Sequence, residues 1–378
     1  VSTARDGLEV TMTVEQLWQP APGGSGTYIV ELARALVEAG EVELTGLAAR
    51  RSGAPSADLP TEMAVHHAPL PRALLYESWL RRRGHGRRRD AASAAVLHAT
   101  TWAVPPRRGP LVVTVHDLAF LRDPGHFTPR GNAFFRRALD VVRGEADVVV
   151  VPSQTTAEDC TEHGIEPERI RVVHHGVRIQ EPQPGEVEEF RRRHRLERPY
   201  LLWCGTLEPR KNLAVLLDAY RALLDQDPDL DLDLVLVGPQ GWGGAAADLA
   251  RRSGTLPTGR LRLLGRLDEA DLHRAYAGAR TFCFPSTWEG FGMPVLEAMA
   301  HGVPVVTSAG TSMAEISTHG ALLVDPTSPT DLAAALAEAA GEGHSRLAEA
   351  ARTNAAGFTW ARSAQLHVEA YRAAAASG

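Results

Sequence analysis

The chain has 378 residues, 44% apolar and 23% charged, which is too long for one ordinary core and points to two globular domains. Its formal charge of −6 excludes a general nucleic-acid binder, which needs a net basic surface. No apolar run reaches the roughly 18–20 residues of a membrane span, no charged start and apolar signal core opens the sequence, and Cys160, Cys204 and Cys283 lack metal-ligand spacing, so a reduced cytoplasmic setting is expected.

Short β-branched runs alternate with alanine- and leucine-rich stretches, the pattern of parallel α/β units. In the first half they predict strands at Leu8–Val14, Val42–Ala48, Ala64–Ala68, Val96–Ala99, Leu111–Val115, Val148–Pro152 and Ile170–His174. Helices are predicted over Thr27–Ala39 and Pro129–Arg143. Gly23-Gly-Ser-Gly precedes the first of these helices and reads as a loop. It lacks the third glycine of a dinucleotide fingerprint, and no acidic residue ends the second strand near Ala48 to hold a ribose. Two readings stay open for it: a tight strand-to-helix turn, or a helix start where Gly24 and Gly26 let a ligand approach. His116 and Asp117 follow the run Leu111–Val115 at the crevice end of a strand. Asp117 either orients the histidine or caps the turn.

Around Arg178–Val187, two prolines and a glycine break the periodicity and read as a linker. The pattern then restarts with strands at Tyr200–Cys204, Asp233–Val237, Leu261–Leu264, Thr281–Pro285, Val303–Thr307 and Ala321–Val324. Helices are predicted over Leu213–Leu224, Asp268–Ala277, Pro294–Ala300 and Thr330–Ala340, with a last one over Trp360–Ala375. The expected organisation is an N-terminal domain over 1–180 and a C-terminal domain over 181–359, with the helix in 360–378 completing the first. Two such halves joined by a Pro-rich hinge are expected to place a ligand crevice between the carboxyl ends of their sheets.

Phe284-Pro-Ser-Thr-Trp-Glu-Gly-Phe-Gly-Met-Pro-Val-Leu-Glu carries the most chemistry. It reads as strand, loop and helix, with Glu289 in the loop and Gly290 and Gly292 allowing sharp bends and close approach. Pro294 suits the first helical position, and Gly302 with Pro304 stops the helix. The N–H groups of Phe291, Gly292 and Met293 are therefore expected at a helix N-terminus, a ready site for an anion. Glu289 and Glu297 beside a diphosphate would be repelled unless each accepts hydrogen bonds from a sugar hydroxyl. A nucleoside diphosphate sugar offers hydroxyls on both sides, ribose at one end and hexose at the other. The plainer reading, an ordinary turn with Glu297 as a helix-dipole partner, leaves the loop glutamate and the paired glycines unexplained. Earlier in this half, Cys204-Gly-Thr-Leu-Glu-Pro-Arg-Lys-Asn-Leu holds Lys211, the one lysine among 40 basic residues. It reads either as a phosphate-binding cation or as part of a solvated turn.

The run from Glu289 to Glu297 resembles the Glu-x7-Glu motif of retaining glycosyltransferases of GT-B fold, in glycosyltransferase family four (group 1 glycosyltransferases). Cys204–Leu213 resembles that family's Gly-x4-Arg-Lys-Asn turn, Pro22-Gly-Gly-Ser-Gly-Thr-Tyr its N-terminal glycine loop, and Val115-His-Asp-Leu its active-site histidine segment. The resemblance implies an α/β GT-B architecture, two Rossmann-like domains facing across a cleft. It implies that Glu289 contacts the transferred sugar, Glu297 the ribose, Arg210 and Lys211 the diphosphate, and His116 the transferred sugar. His116, Glu289, Arg210 and Lys211 then form the catalytic set. Gly24, Gly26, Gly205, Gly290, Phe291, Gly292 and Met293 join Arg210, Lys211, Glu289 and Glu297 in binding the donor. No carboxylate is assignable as a covalent nucleophile, so retention is expected by the family's front-side route, the diphosphate taking the acceptor proton. No Asp-x-Asp cluster ends a strand, so neither metal nor cofactor is expected, and the donor is expected to be a GDP- or UDP-linked hexose. The acceptor is expected to be a hydroxyl of a glycan, glycolipid or small molecule.

Arg81-Arg-Arg-Gly-His-Gly-Arg-Arg-Arg, preceded by Leu74-Leu-Tyr-Glu-Ser-Trp-Leu, is the strongest charge run. It suits peripheral contact with an anionic membrane through Leu74–Arg89, at the inner face, and equally a solvated loop made Arg-rich by composition. Two rivals to a transferase remain. Another GT-B enzyme, an epimerase or a phosphorylase, would share the architecture, although the Glu-x7-Glu segment belongs to the transferase pattern and no lysine is spare for pyridoxal phosphate. A non-catalytic sugar-nucleotide sensor would keep the phosphate groups.

Overall fold

The structure, a computed structural model, describes residues 7–19, 22–50, 53–81, 95–239, 241 and 244–377. The chain forms two compact units, Val1–Gly176 with Thr359–Gly378, and Val177–Phe358.

The first unit is built on a parallel sheet whose described strands are β1 (Leu8–Thr13), β2 (Val42–Ala48), β3 (Ala64–His67), β4 (Val96–Ala99), β5 (Leu111–Thr114), β6 (Val148–Val151) and β7 (Ile170–Val172). Their order is β3-β2-β1-β4-β5-β6-β7. The central strands are buried on both faces, which explains why β5 and β6 show no polar alternation and are apolar except for Thr114 at the end of β5. Strand order reverses between β1 and β4, and loops at the carboxyl ends of strands beside such a point are where ligands bind in open α/β sheets.

The first helix begins at Gly23, not at Thr27, and runs to Ala39. Gly24 and Gly26 are thus its first turn, which corrects the reading of this segment as a loop. Glycine at 26 is a packing requirement, because a Cβ there would lie 2.4 Å from Pro22 Cβ. The helix stops at Gly40, which adopts the left-handed conformation at φ 65°. The C-terminal helix, Trp360–Ala376, belongs to this unit and packs on the first helix and on β4, β5 and β6. The helix Arg72–Arg81 precedes the arginine run, of which residues 82–89 lie outside the described residues.

The second unit holds a parallel sheet with described strands β8 (Tyr200–Cys204), β9 (Asp233–Val237), β10 (Leu261–Gly265), β11 (Thr281–Phe284), β12 (Val305–Ser308) and β13 (Ala321–Val324). The order β10-β9-β8-β11-β12-β13 reverses between β8 and β11, which pair directly from Thr281 against Leu201. The stretch expected to be a linker has no helix or strand from Arg178 to Gln183; only its last two residues, Glu186 and Val187, enter the helix Glu186–Arg193, whose glutamates in the first turn and arginines in the last complement the helix dipole. Among the described residues, the helices Ala119–Arg122, Gln154–Glu162, Ala245–Ser253, Ser312–Ser317 and His344–Ala355 also lie outside the expected set.

Candidate active site

Because β8 and β11 are neighbours at the strand reversal, the loops that leave them run side by side. The first loop carries Arg210 and Lys211, the second Glu289. After Gly205 the chain makes one 3-10 turn, Pro209–Lys211, and then places Asn212 in the left-handed region at φ 56°. The Asn212 side chain explains why that conformation holds. Its Nδ2 donates to the carbonyls of Pro285, at 3.1 Å, and Pro326, at 2.6 Å, clamping the turn to the loops after β11 and β13. The next loop also crowds in: a Cβ on Gly238 would lie 1.9 Å from the Gly205 carbonyl oxygen.

These constraints bring both cations onto one carboxylate. Lys211 Nζ lies 2.6 Å from Glu289 Oε1 and Arg210 Nη1 lies 2.5 Å from Glu289 Oε2. Ser286 donates to Glu289 Oε1 at 2.8 Å, and Ser312 donates to the Glu289 carbonyl at 2.7 Å. Glu208 takes the Arg210 Nε at 2.9 Å. The Lys211 ammonium also sits 4.5 Å from the centre of the Phe284 ring. Burial works to raise the Glu289 pKa, but Lys211 and Arg210 together outweigh it and pull the carboxyl down to about 2. For Lys211 the balance runs the other way: burial pushes its pKa below the ordinary value although Glu289 opposes the shift.

The loop then turns through Gly292 at φ 105°, where a Cβ would meet Met313 Cγ at 2.7 Å. Gly292 caps the helix Met293–Ala300, so helical structure starts one residue before Pro294. Phe291 is buried and packs edge-on against Phe358, so its side chain is a core anchor for the loop. Glu297, in the second turn of that helix, accepts a hydrogen bond at Oε2 from the Tyr276 hydroxyl at 2.9 Å. Burial raises the Glu297 pKa and the Tyr276 bond opposes it. Tyr276 in turn stacks on His301, which is hydrogen-bonded to His273 at 2.8 Å.

The structure therefore brings Arg210, Lys211 and Glu289 into direct contact. It sets Gly290, Phe291, Gly292, Met293 and Glu297 on the loop and helix that follow, and Gly205 on the loop beside them. Sequence reasoning missed Glu208, Asn212, Tyr276, Ser286 and Ser312. Asn212 stood inside the recognised Arg-Lys-Asn turn, and its place directly before a helix was the available signal. Tyr276 had none.

In the first unit, His116 follows β5 and lies against Tyr28, edge to face at 4.9 Å. Its Nε2 is 3.0 Å from the Thr100 carbonyl, so that nitrogen carries the proton, and burial lowers the imidazole pKa to about 4. The ring is neutral at pH 7. Asp117 accepts from the Ala119 amide at 3.0 Å and caps the turn. Of the two glycines, Gly26 is buried under Pro22 and Gly24 is exposed on the first helical turn. Among the described residues, no group of three or more His, Cys, Asp or Glu side chains could hold a metal ion.

Comparison with known proteins shows the family and the fold. Residues 22–181 match the model for Glycosyltransferase Family 4, and residues 198–342 the model for Glycosyl transferases group 1. The O-antigen chain mannosyltransferase B of Escherichia coli is 28% identical over 385 residues, covering 97% of this chain and 100% of that protein. A D-inositol 3-phosphate glycosyltransferase of Frankia alni is 30% identical over 403 residues, covering 96% and 97%. The crystal structure of Anabaena Alr3699/HepE in complex with UDP-glucose matches with a TM-score of 0.71 at 20% identity, covering 96% of this chain and 98% of that one. The chain thus belongs to the group 1 glycosyltransferases of glycosyltransferase family 4, and its two parallel-sheet units are those of the GT-B fold.

Proposed function

We propose that the chain moves a hexose from a nucleoside diphosphate sugar to an acceptor hydroxyl of a glycan, glycolipid or small molecule, with retention and without a metal ion. The observation that carries this reading is the buried contact of Glu289 with Arg210 and Lys211, one loop away from Glu297. When the sugar–phosphate bond breaks, negative charge grows on the leaving diphosphate. Two cations fixed by Asn212 and by the Glu289 loop are already in place to stabilise it, with no reorganisation at the moment of reaction. Lys211 offers a compact point charge and Arg210 a planar fork, complementary ways of meeting phosphate oxygens. Glu289 then serves the transferred sugar, Glu297 the ribose, and the backbone from Gly290 to Met293 the phosphates. His116, neutral and held by Thr100, serves the transferred sugar.

Retention follows the front-side route: the acceptor oxygen bonds to the anomeric carbon on the face the diphosphate leaves, and the diphosphate takes the acceptor proton. The cations supply the charge stabilisation that a divalent ion would otherwise provide. A UDP- or GDP-linked hexose is the proposed donor, supported by the UDP-glucose complex of the structural neighbour and by the mannosyltransferase relative. Cytoplasmic placement with peripheral contact through Leu74–Arg89 remains part of the proposal, and Leu74 is 60% exposed on its helix.

The test is to incubate the purified chain, in EDTA, with UDP-, GDP-, ADP- and TDP-hexoses and follow both melting temperature and nucleoside diphosphate release. One donor class should raise the melting temperature and be slowly hydrolysed. Binding without any release would favour a sensor, and restoration of turnover by manganese would remove the metal-independent mechanism.

A further inference from the structure

Arg210 and Lys211 are not left for a phosphate alone; each already has a carboxylate. Glu289 takes Lys211 at 2.6 Å and Arg210 at 2.5 Å, and Glu208 takes the other face of the Arg210 guanidinium at 2.9 Å. The two cations and two carboxylates form a formally neutral set. Glu289 and Lys211 are only 8% and 7% exposed, so water screens their attraction little. The carboxylate is anchored as well, by Ser286 at Oε1, and Ser312 holds the Glu289 backbone at its carbonyl. A pocket tuned only for the tightest grip on a diphosphate would leave its cations uncompensated, since a buried acid beside them both neutralises them and repels the ligand.

We propose that Glu289 is an internal competitor for Arg210 and Lys211: a nucleoside diphosphate binds by displacing its carboxylate from them, and the displaced carboxylate is then presented to the sugar hydroxyls. This rests on the reading of Arg210 and Lys211 as the diphosphate site. The exchange separates donor from product. A nucleoside diphosphate alone takes the cations and leaves the buried Glu289 carboxylate with the Ser286 hydroxyl in place of two cations, which is costly. A sugar diphosphate takes the same cations but brings hydroxyls that donate to the released carboxylate. Glu289 therefore lowers the affinity for the product more than for the donor, and so favours release after transfer.

The experiment is calorimetric titration of the full chain with UDP and GDP, and with UDP-glucose and GDP-mannose, in the parent and in Glu289→Gln. Glutamine keeps the size and the Ser286 contact but ends the competition. Nucleoside diphosphate affinity should rise by about 10-fold, at the lower end of measured couplings between close charge pairs. The preference for donor over product should shrink. In a Lys211→Gln background the same replacement should give a smaller gain. Unchanged or weaker diphosphate binding in Glu289→Gln overturns the proposal, as does an undiminished gain without Lys211. If Glu289→Gln does not fold, Glu289→Asp, which keeps the charge but draws it back from the cations, should shift affinity in the same direction, and no shift overturns the idea. A parent protein that binds none of the four nucleotides overturns the site assignment itself, a result distinct from the others.

Discussion

Glu297 shows how one hydroxyl decides what a buried carboxylate can do. Burial favours its neutral acid, while a ribose is held best by the ionised form, which accepts from both hydroxyls. The Tyr276 hydroxyl, donating at 2.9 Å, stabilises that form and fixes which oxygen faces away from Tyr276. Tyr276→Phe should weaken ribonucleoside diphosphate binding roughly five-fold, the size of one hydrogen bond, and leave the 2′,3′-dideoxy analogue nearly unaffected. Glu297→Ala should do the same more strongly. Equal losses for both nucleotides would place Glu297 away from the ribose. Glu289 behaves oppositely with pH. Its folded pKa of about 2 lies below the ordinary 4.5, so its contribution to stability is complete above that value and is lost as pH falls from about 4.5 to about 2. Urea midpoints measured from pH 5 downward should fall less steeply in Glu289→Gln than in the parent; parallel curves would contradict the pairing. The motif made both glutamates legible in the sequence. The Arg-Lys-Asn turn made both cations legible too, but not their direct pairing with Glu289, nor Tyr276 as the partner of Glu297, because Lys211 and Glu289 are 78 positions apart and Tyr276 and Glu297 are 21 apart, so the fold alone joins them.

Among the elements, the C-terminal helix is held by an ordered chain of buried polar groups. His367 Nδ1 lies 2.8 Å from the Ser363 carbonyl and must donate to it, so the neutral ring accepts at Nε2 from the Tyr28 hydroxyl, also at 2.8 Å. Tyr28 then accepts from Thr114, Thr114 accepts from His98 Nε2, and His98 Nδ1 accepts from Tyr371, each link 2.8 Å. Every proton in the chain has one consistent position. The chain ties Trp360–Ala376 to β4, β5 and the first helix, and through Tyr28 it also packs against His116. Burial lowers the His98 and His367 pKa values, His367 to about 4. Since an unfolded histidine takes up its proton near 6.5, these neutral rings stabilise the unit fully above that pH and progressively less as pH falls towards 4. The urea midpoint should therefore drop between pH 7 and pH 4.5. His367→Gln, which can accept from Tyr28 without titrating, should remove part of that drop; an identical pH dependence would contradict the arrangement. Strands were easy to read because burial on both faces demands unbroken apolar runs. The helix Gln154–Glu162 was missed because it is polar along most of its length, although Ser153, accepting from the Thr156 amide, marks its start. The glycine segment misled for a related reason: glycine suggests a loop, but Gly26 answers to the proximity of Pro22.

At the scale of the molecule, each unit places its candidate residues on loops at the carboxyl ends of strands near its order reversal, His116 in the first and Arg210, Lys211 and Glu289 in the second. That placement follows from parallel strands alone, and it explains why alternating strand and helix signals were enough to give the fold class. In the proposed mechanism Lys211 supplies one of the two charges on which the chemistry depends. If Lys211 stabilises the leaving diphosphate, its contribution is larger in the transition state than with donor merely bound, so it acts on kcat. The most direct test is the kcat of Lys211→Ala with the identified donor, in protein whose circular dichroism and melting show the parent fold. That kcat should fall ~10²–10³-fold, with Lys211→Arg recovering only part because its charge is spread over a broader group. A folded Lys211→Ala protein that turns over within about threefold of the parent would contradict it, leaving Lys211 as no more than a buried partner of Glu289.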